Sequence, residues 1–173
     1  MRWLQSFGGP LILLPKESVH LWAGSYGPDG DDEIDEEETD YWRICETVED
    51  YADVVDVRGV EALVLANGGC PTAFVAAERL FVQDMGEGFR LGALQTAARA
   101  RSAVEWAKVV TWNCAGPCLM FDASLYGPKV REPECLPIDL VAGTYTVRSG
   151  YWIPDSNDES NVALTSLELA SLR

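Results

Sequence analysis

Apolar and polar positions along this chain alternate with two different periods. In residues 3–7 (WLQSF) apolar and polar side chains take turns, Gly8-Gly9-Pro10 interrupts them, and the LILL run at 11–14 resumes. This pattern predicts two short strands joined by a turn or bulge. Further on, Thr39 is placed to cap a helix running to about Glu49, with Ile44 and Val48 four residues apart and Trp42 near the same face. Strands are expected at 53–57 and 61–65, joined at Arg58-Gly59, and again at 72–75 and 79–83. Residues 89–100 carry Leu91, Leu94, Ala97 and Ala98 among helix-forming neighbours, which predicts a second amphipathic helix packed on that sheet. After it, apolar runs at 104–112, 118–121, 138–141, 144–148 and 163–169 alternate with Gly, Pro and Asn-rich turns. The fold class is therefore α+β, with mainly antiparallel sheets, two amphipathic helices and a strand-rich C-terminal half.

A length of 173 residues fits one domain with its own core, so residues 1–173 are expected to form a single domain. Apolar residues make up 47% of the chain and charged residues 24%, which separates it from disordered sequences. No stretch approaches the roughly 18 consecutive apolar residues of a spanning helix, so no membrane partner is expected. The short apolar patch at 11–14, flanked by Pro10 and Pro15, lacks the central run of a signal peptide, and a cytoplasmic location follows. Five cysteines, Cys45, Cys70, Cys114, Cys118 and Cys135, are an odd number in a chain that needs no staples, which points to reduced thiols.

Charge changes this picture. The formal net charge is −15, and residues 29–40, reading DGDDEIDEEETD, hold nine acids and no base, which leaves −6 for everything else. Like-charge repulsion and scarce apolar side chains predict a solvated, flexible acidic loop at 29–40, entered through a turn at Pro28-Asp29-Gly30. Such acidity argues against direct nucleic-acid binding, which relies on Lys and Arg, and would attract a basic partner. It also serves solubility with no partner at all.

Candidate chemistry is sparse. The sole histidine, His20, lies between Val19 and Leu21 without a visible Ser or Cys companion, and reads as a partly exposed loop side chain. Cys114 and Cys118 have three residues between them and no second pair to complete a zinc site, so they read as core or turn thiols. Asp29, Asp31 and Glu33 imitate the start of a calcium loop, but Ile34 occupies the position where the sharp turn requires Gly. Gly8-Gly9 and Gly68-Gly69 match no phosphate-binding fingerprint and read as turns. No catalytic residue, metal or cofactor is assigned. Of six tryptophans most should be core, and Trp22, just before the acidic run, is the first candidate for exposure, although burial against the first strands is the favoured reading even for it.

An ordered series of blocks carries a family resemblance. The opening WLQSFGGPLILLP at 3–15 followed by Trp22-Ala23-Gly24, then DYWRIC at 40–45 leading into a Val-rich strand, EALVL at 61–65 and Pro71-Thr72 resemble the immunity protein 21 family. AGTYTV at 142–147 is a weaker echo in the second half. The resemblance implies a bacterial protein encoded beside a polymorphic toxin, which it binds and neutralises. Together with the charge it yields a mechanistic expectation: an acidic surface covers the basic active site of a cognate toxin, a nuclease being one candidate. The expected contact residues are Asp31, Asp32, Glu33, Asp35, Glu36, Glu37, Glu38 and Trp22. The alternative is a small enzyme or ligand-binding domain that uses His20 or the cysteines. Strand order and oligomeric state are not legible in the sequence.

Overall fold

The computed structural model describes residues 1–30, 35–86, 90–153 and 161–172. The elements run β1 (Trp3–Leu4), β2 (Leu11–Pro15), α1 (Asp40–Thr47), β3 (Ala52–Val57), β4 (Val60–Leu65), β5 (Thr72–Val75), β6 (Leu80–Asp84) and α2 (Arg90–Ala100). They continue with β7 (Lys108–Cys114), β8 (Cys118–Asp122), β9 (Cys135–Ile138), β10 (Gly143–Trp152) and β11 (Val162–Leu172). Two antiparallel sheets result. One has the order β1-β5-β6-β11-β10-β7 and the other β3-β4-β2-β8-β9.

The sheets pack face to face, and the period of two in each strand decides which residue goes where. Leu11 and Leu13 of β2, with Leu63 and Leu65 of β4, point between the sheets and meet Phe81, Trp112, Tyr145, Val147 and Leu167. Ile12, Leu14, Ala62 and Val64 point the other way, beneath α1, where Ile44 and Val48 join them. On the far side of the six-stranded sheet, Leu80, Val82, Val162 and Leu164 bury Ala93, Ala97 and Ala100 of α2. The order of layers is thus α1, five-stranded sheet, six-stranded sheet, α2. Every residue of β2 is buried, because it lies at the centre of its sheet with apolar layers on both faces. That explains why its sequence is a continuous apolar run rather than an alternation.

Several details depart from the expected elements. The first two strands do not form a hairpin: β1 pairs with β5, whereas β2 pairs with β4 and β8 in the other sheet. Gly8-Gly9-Pro10 is therefore a crossing between sheets. The strand expected at 104–112 begins only at Lys108, because Val104 still donates its N–H to Ala100 at 2.7 Å, extending the end of α2. The strand expected at 138–141 lies earlier, at Cys135–Ile138, in register with β8. Helix α2 packs, as expected, on the strand that follows residue 79, β6, and also on β11, through Ala93, Ala97 and Ala100, whereas Ala98 is exposed. Small side chains let the helix axis approach the sheet closely. Phe89, the first residue of the expected helix, lies outside the described residues.

Candidate functional site

The acidic run is not one uniform loop. Asp31, Asp32, Glu33 and Ile34 lie outside the described residues, but Asp35, Glu36, Glu37 and Glu38 form a built feature. Glu36–Glu38 is a 3-10 turn whose preceding Asp35 accepts the Glu37 N–H at 3.4 Å. Thr39 couples that turn to the helix: its buried hydroxyl donates to Glu36 O at 2.8 Å and accepts the Trp42 N–H at 3.1 Å. The expectation that Thr39 caps α1 is met, and the same side chain fixes the acids just before it. Four carboxylates at the N-terminal end of a helix also meet the positive end of its dipole, which offsets part of their mutual repulsion. All four are exposed, and among the described residues no Lys or Arg pairs with them.

Asp40 behaves differently although it belongs to the same run. Its Oδ2 accepts the Ala23 N–H at 3.1 Å and meets Arg58 Nη1 at 3.1 Å, and its Oδ1 meets Arg43 Nη2 at 3.3 Å. Arg58, at the β3–β4 turn, also donates to Leu21 O. Asp40 therefore ties α1 to the neighbouring hairpin and to the segment before the acidic run. Nearby, Tyr41 donates its backbone N–H to Gly24 O at 3.0 Å. Gly24 has φ +65°, and a Cβ there would come within 2.3 Å of Leu125 O, so glycine is required on both grounds.

The turn and helix border a shallow groove of about 440 Å³ lined by Glu37, Glu38, Asp40, Trp42, Arg43 and Glu46. Trp42, expected near the face of Ile44 and Val48, is half-buried and lines this groove, whereas Ile44 and Val48 are in the core. Beside it the Tyr41 hydroxyl is pushed up to about 12, first by burial and then by its hydrogen bond with Cys45, whose own thiol is raised by burial.

Trp22 corrects the list of expected contact residues. It is fully buried, and its Nε1 donates to Ala123 O at 2.8 Å. An indole with its one donor satisfied beneath α1 is a core group, because withdrawing it would expose a large apolar surface and orphan a hydrogen bond. Among the described residues the exposed aromatic side chain is Phe7 instead, at 95% accessibility. It projects from the crossing between sheets, where Asp122 Oδ2 accepts the Phe7 N–H at 2.8 Å and the Ser6 hydroxyl donates to Gly9 O at 2.6 Å. The crossing abuts α1, since a Cβ on Gly9 would fall 2.1 Å from the Tyr41 hydroxyl. Sequence reading assigned Phe7 to a strand; the only available signal was its position directly before Gly-Gly-Pro.

The remaining chemical candidates lie apart from the acidic turn. His20 is exposed in a 3-10 turn, Lys16–Leu21, and among the described residues it has no hydrogen bond to a Ser or Cys. Cys114 and Cys118 are buried thiols at the ends of β7 and β8, 3.7 Å apart, and both donate to Gly116 O, at 3.1 and 3.2 Å. The Cys118 thiol is pushed far up, first by its contact with Cys114 and then by burial. Among the described residues no group of three His, Cys, Asp or Glu side chains is placed to hold a metal ion, and no helix is long and apolar enough to cross a membrane.

The geometry defines an α+β protein with a braced acidic turn, a shallow groove beside it and a projecting aromatic side chain at Phe7. A family model described as immunity protein 21 matches residues 2–158, and the chain belongs to that family. The match extends well beyond the first half, where the sequence resemblance is concentrated, and stops before β11. Neither the curated proteins nor the solved structures include a match to this chain.

Proposed function

We propose that this protein is the cytoplasmic immunity partner of a toxin, which it binds through the face formed by Asp35, Glu36, Glu37, Glu38, the Trp42 groove and Phe7. It acts as a non-enzymatic inhibitor that covers the toxin's active site. Asp31, Asp32 and Glu33 belong to the same proposed acidic surface by sequence. The observation that carries this reading is the set of four exposed carboxylates, braced through Thr39 and lacking any basic partner among the described residues. Carboxylates that stabilise a fold are normally paired or hydrogen-bonded, as Asp40 is here. An unneutralised and pre-positioned set accelerates encounter with a basic surface, while aromatic anchors such as Phe7 and Trp42 slow dissociation. A nuclease fits as the toxin class, because its phosphate-binding site supplies the complementary positive charge.

The test is the triple substitution of Glu36, Glu37 and Glu38 by Ser, measured against the toxin domain encoded beside this protein. Association should slow by about tenfold or more at low salt, with a flatter salt dependence. Unchanged rates at both low and high salt would remove this surface from the mechanism. His20→Ala should leave inhibition intact.

A further inference from the structure

A second cavity, of about 420 Å³, is lined by Gln5, Gly69, Cys70, Asp84 and Met85 among others. It lies beside the same crossing between sheets that carries Phe7: the Gln5 amide donates to Gly69 O at 2.8 Å, and the Ser6 N–H donates to Gly68 O at 2.9 Å. Asp84 is the last residue of β6, held there by its N–H to Pro71 O at 2.9 Å. Its side chain is 1% exposed. One oxygen, Oδ1, accepts the Gly86 N–H at 3.0 Å, but among the described residues Oδ2 has neither a hydrogen-bond donor nor a base paired with it.

A buried carboxylate oxygen without a protein donor calls for one from outside the chain, because burying a polar group costs free energy unless it is hydrogen-bonded. Its neighbours show what would satisfy it. The Cys70 thiol is raised, first by burial and then by the charge of Asp84, so it stays protonated and contributes no second negative charge. A bound metal ion would want further anionic or imidazole ligands, and among the described residues no third His, Cys, Asp or Glu joins this pair. A weakly hydrated cation that brings several N–H donors suits the site better. A guanidinium can give one N–H to the carboxylate and others to nearby carbonyl oxygens, and it tolerates burial better than an ammonium.

We propose that this cavity is a guanidinium-binding site in which Asp84 Oδ2 accepts an N–H from a cation entering past the exposed side chains of Gln5 and Met85. The guanidinium is either an arginine side chain of a protein partner or a free small solute. Its assignment to the toxin would rest on the immunity reading, since the cavity adjoins the Phe7 face. The site itself is tested on this protein alone, so its failure leaves that reading standing.

The experiment is a titration of the ¹⁵N-labelled protein with N-acetylargininamide, following backbone amide shifts. Saturable shifts are expected at Gly69, Cys70 and Gly86. They should vanish in Asp84→Asn, which keeps the side-chain shape and should melt no lower than the native chain. The neutral isostere N-acetylcitrullinamide should give none in the native protein, a control that holds even if the variant misfolds. Half-saturation near millimolar concentration supports a partner's arginine as the source, and near micromolar concentration a free solute. The proposal is overturned if these amides do not shift, if they respond equally to the citrulline compound, if a folded Asp84→Asn still responds, or if Zn²⁺ or Mg²⁺ alone produces the response.

Discussion

Two regions of this molecule are built from carboxylates and use them in opposite ways. At the corner where β4 meets β7, Glu61 accepts both the backbone N–H of Asn113 at 2.6 Å and its side-chain amide at 2.9 Å. Asn113 in turn accepts the Thr144 hydroxyl at 3.0 Å, and Lys108 closes on Asp53 at 2.5 Å alongside. Acids there join the edges of two sheets. In the turn at 35–38 the four acids are exposed, and although Asp35 accepts the Glu37 N–H, among the described residues no Lys or Arg pairs with them. The contrast teaches that a count of charges says little about partners: what matters is which carboxylates the fold has already satisfied.

This contrast can be broken experimentally. The largest effect is expected from Glu61→Ala, which leaves the Asn113 donors without their acceptor and should cost about 2 kcal/mol of stability in chemical denaturation, with toxin association unchanged. Loss of association with stability intact would reverse the roles assigned to the two regions. Phe7→Ser should do the opposite. Folding stability should change by less than about 0.5 kcal/mol, since the side chain is exposed, while dissociation from the toxin accelerates by about tenfold. Asp40→Ala sits between the regions in sequence and in kind. Arg43 and Arg58 are too exposed for their ion pairs to count heavily, so the lost Ala23 hydrogen bond should dominate, at about 1 kcal/mol.

The smallest effect concerns alkaline pH. The Tyr41 hydroxyl is raised to about 12 from an ordinary value of 10.0. The folded state therefore holds this proton more tightly than the unfolded chain, and stability present below pH 10 falls as pH rises toward 12. Tyr41→Phe should make the decline in melting temperature over that interval shallower; an identical slope would show that burial beside Gly9 and Cys45 does not govern its titration. The expected single domain is checked in the same melts, which should show one cooperative transition at neutral pH.

Much of the fold was legible because strands and helices announce themselves by period. The helix after Thr39, the β3–β4 hairpin at Arg58-Gly59 and the strand at Cys118 lie where local pattern places them. Boundaries failed where a neighbour overruled local preference: Val104 is held by the last turn of α2, and the strand near Ile138 is drawn toward Cys135 by pairing with β8. The proposed contact surface was half legible. Glu36, Glu37 and Glu38 could be named from charge alone, but Phe7, Trp42 and Asp84 could not, and Trp22 was named in error, because exposure belongs to the assembled layers and not to a residue's type.

By itself, then, the sequence determined the α+β class, the family and the concentration of negative charge between residues 29 and 40, all of which are properties of local pattern or of composition. Only the tertiary structure decided that β1 and β2 enter different sheets, that Trp22 is core while Phe7 projects, and that Asp40 is neutralised by Arg43 and Arg58 while the acids just before it are not. Apart from the local Asp40–Arg43 pair, these depend on contacts between residues far apart in the chain, and a carboxylate's role is set by whichever donors the fold brings within about 3 Å of it.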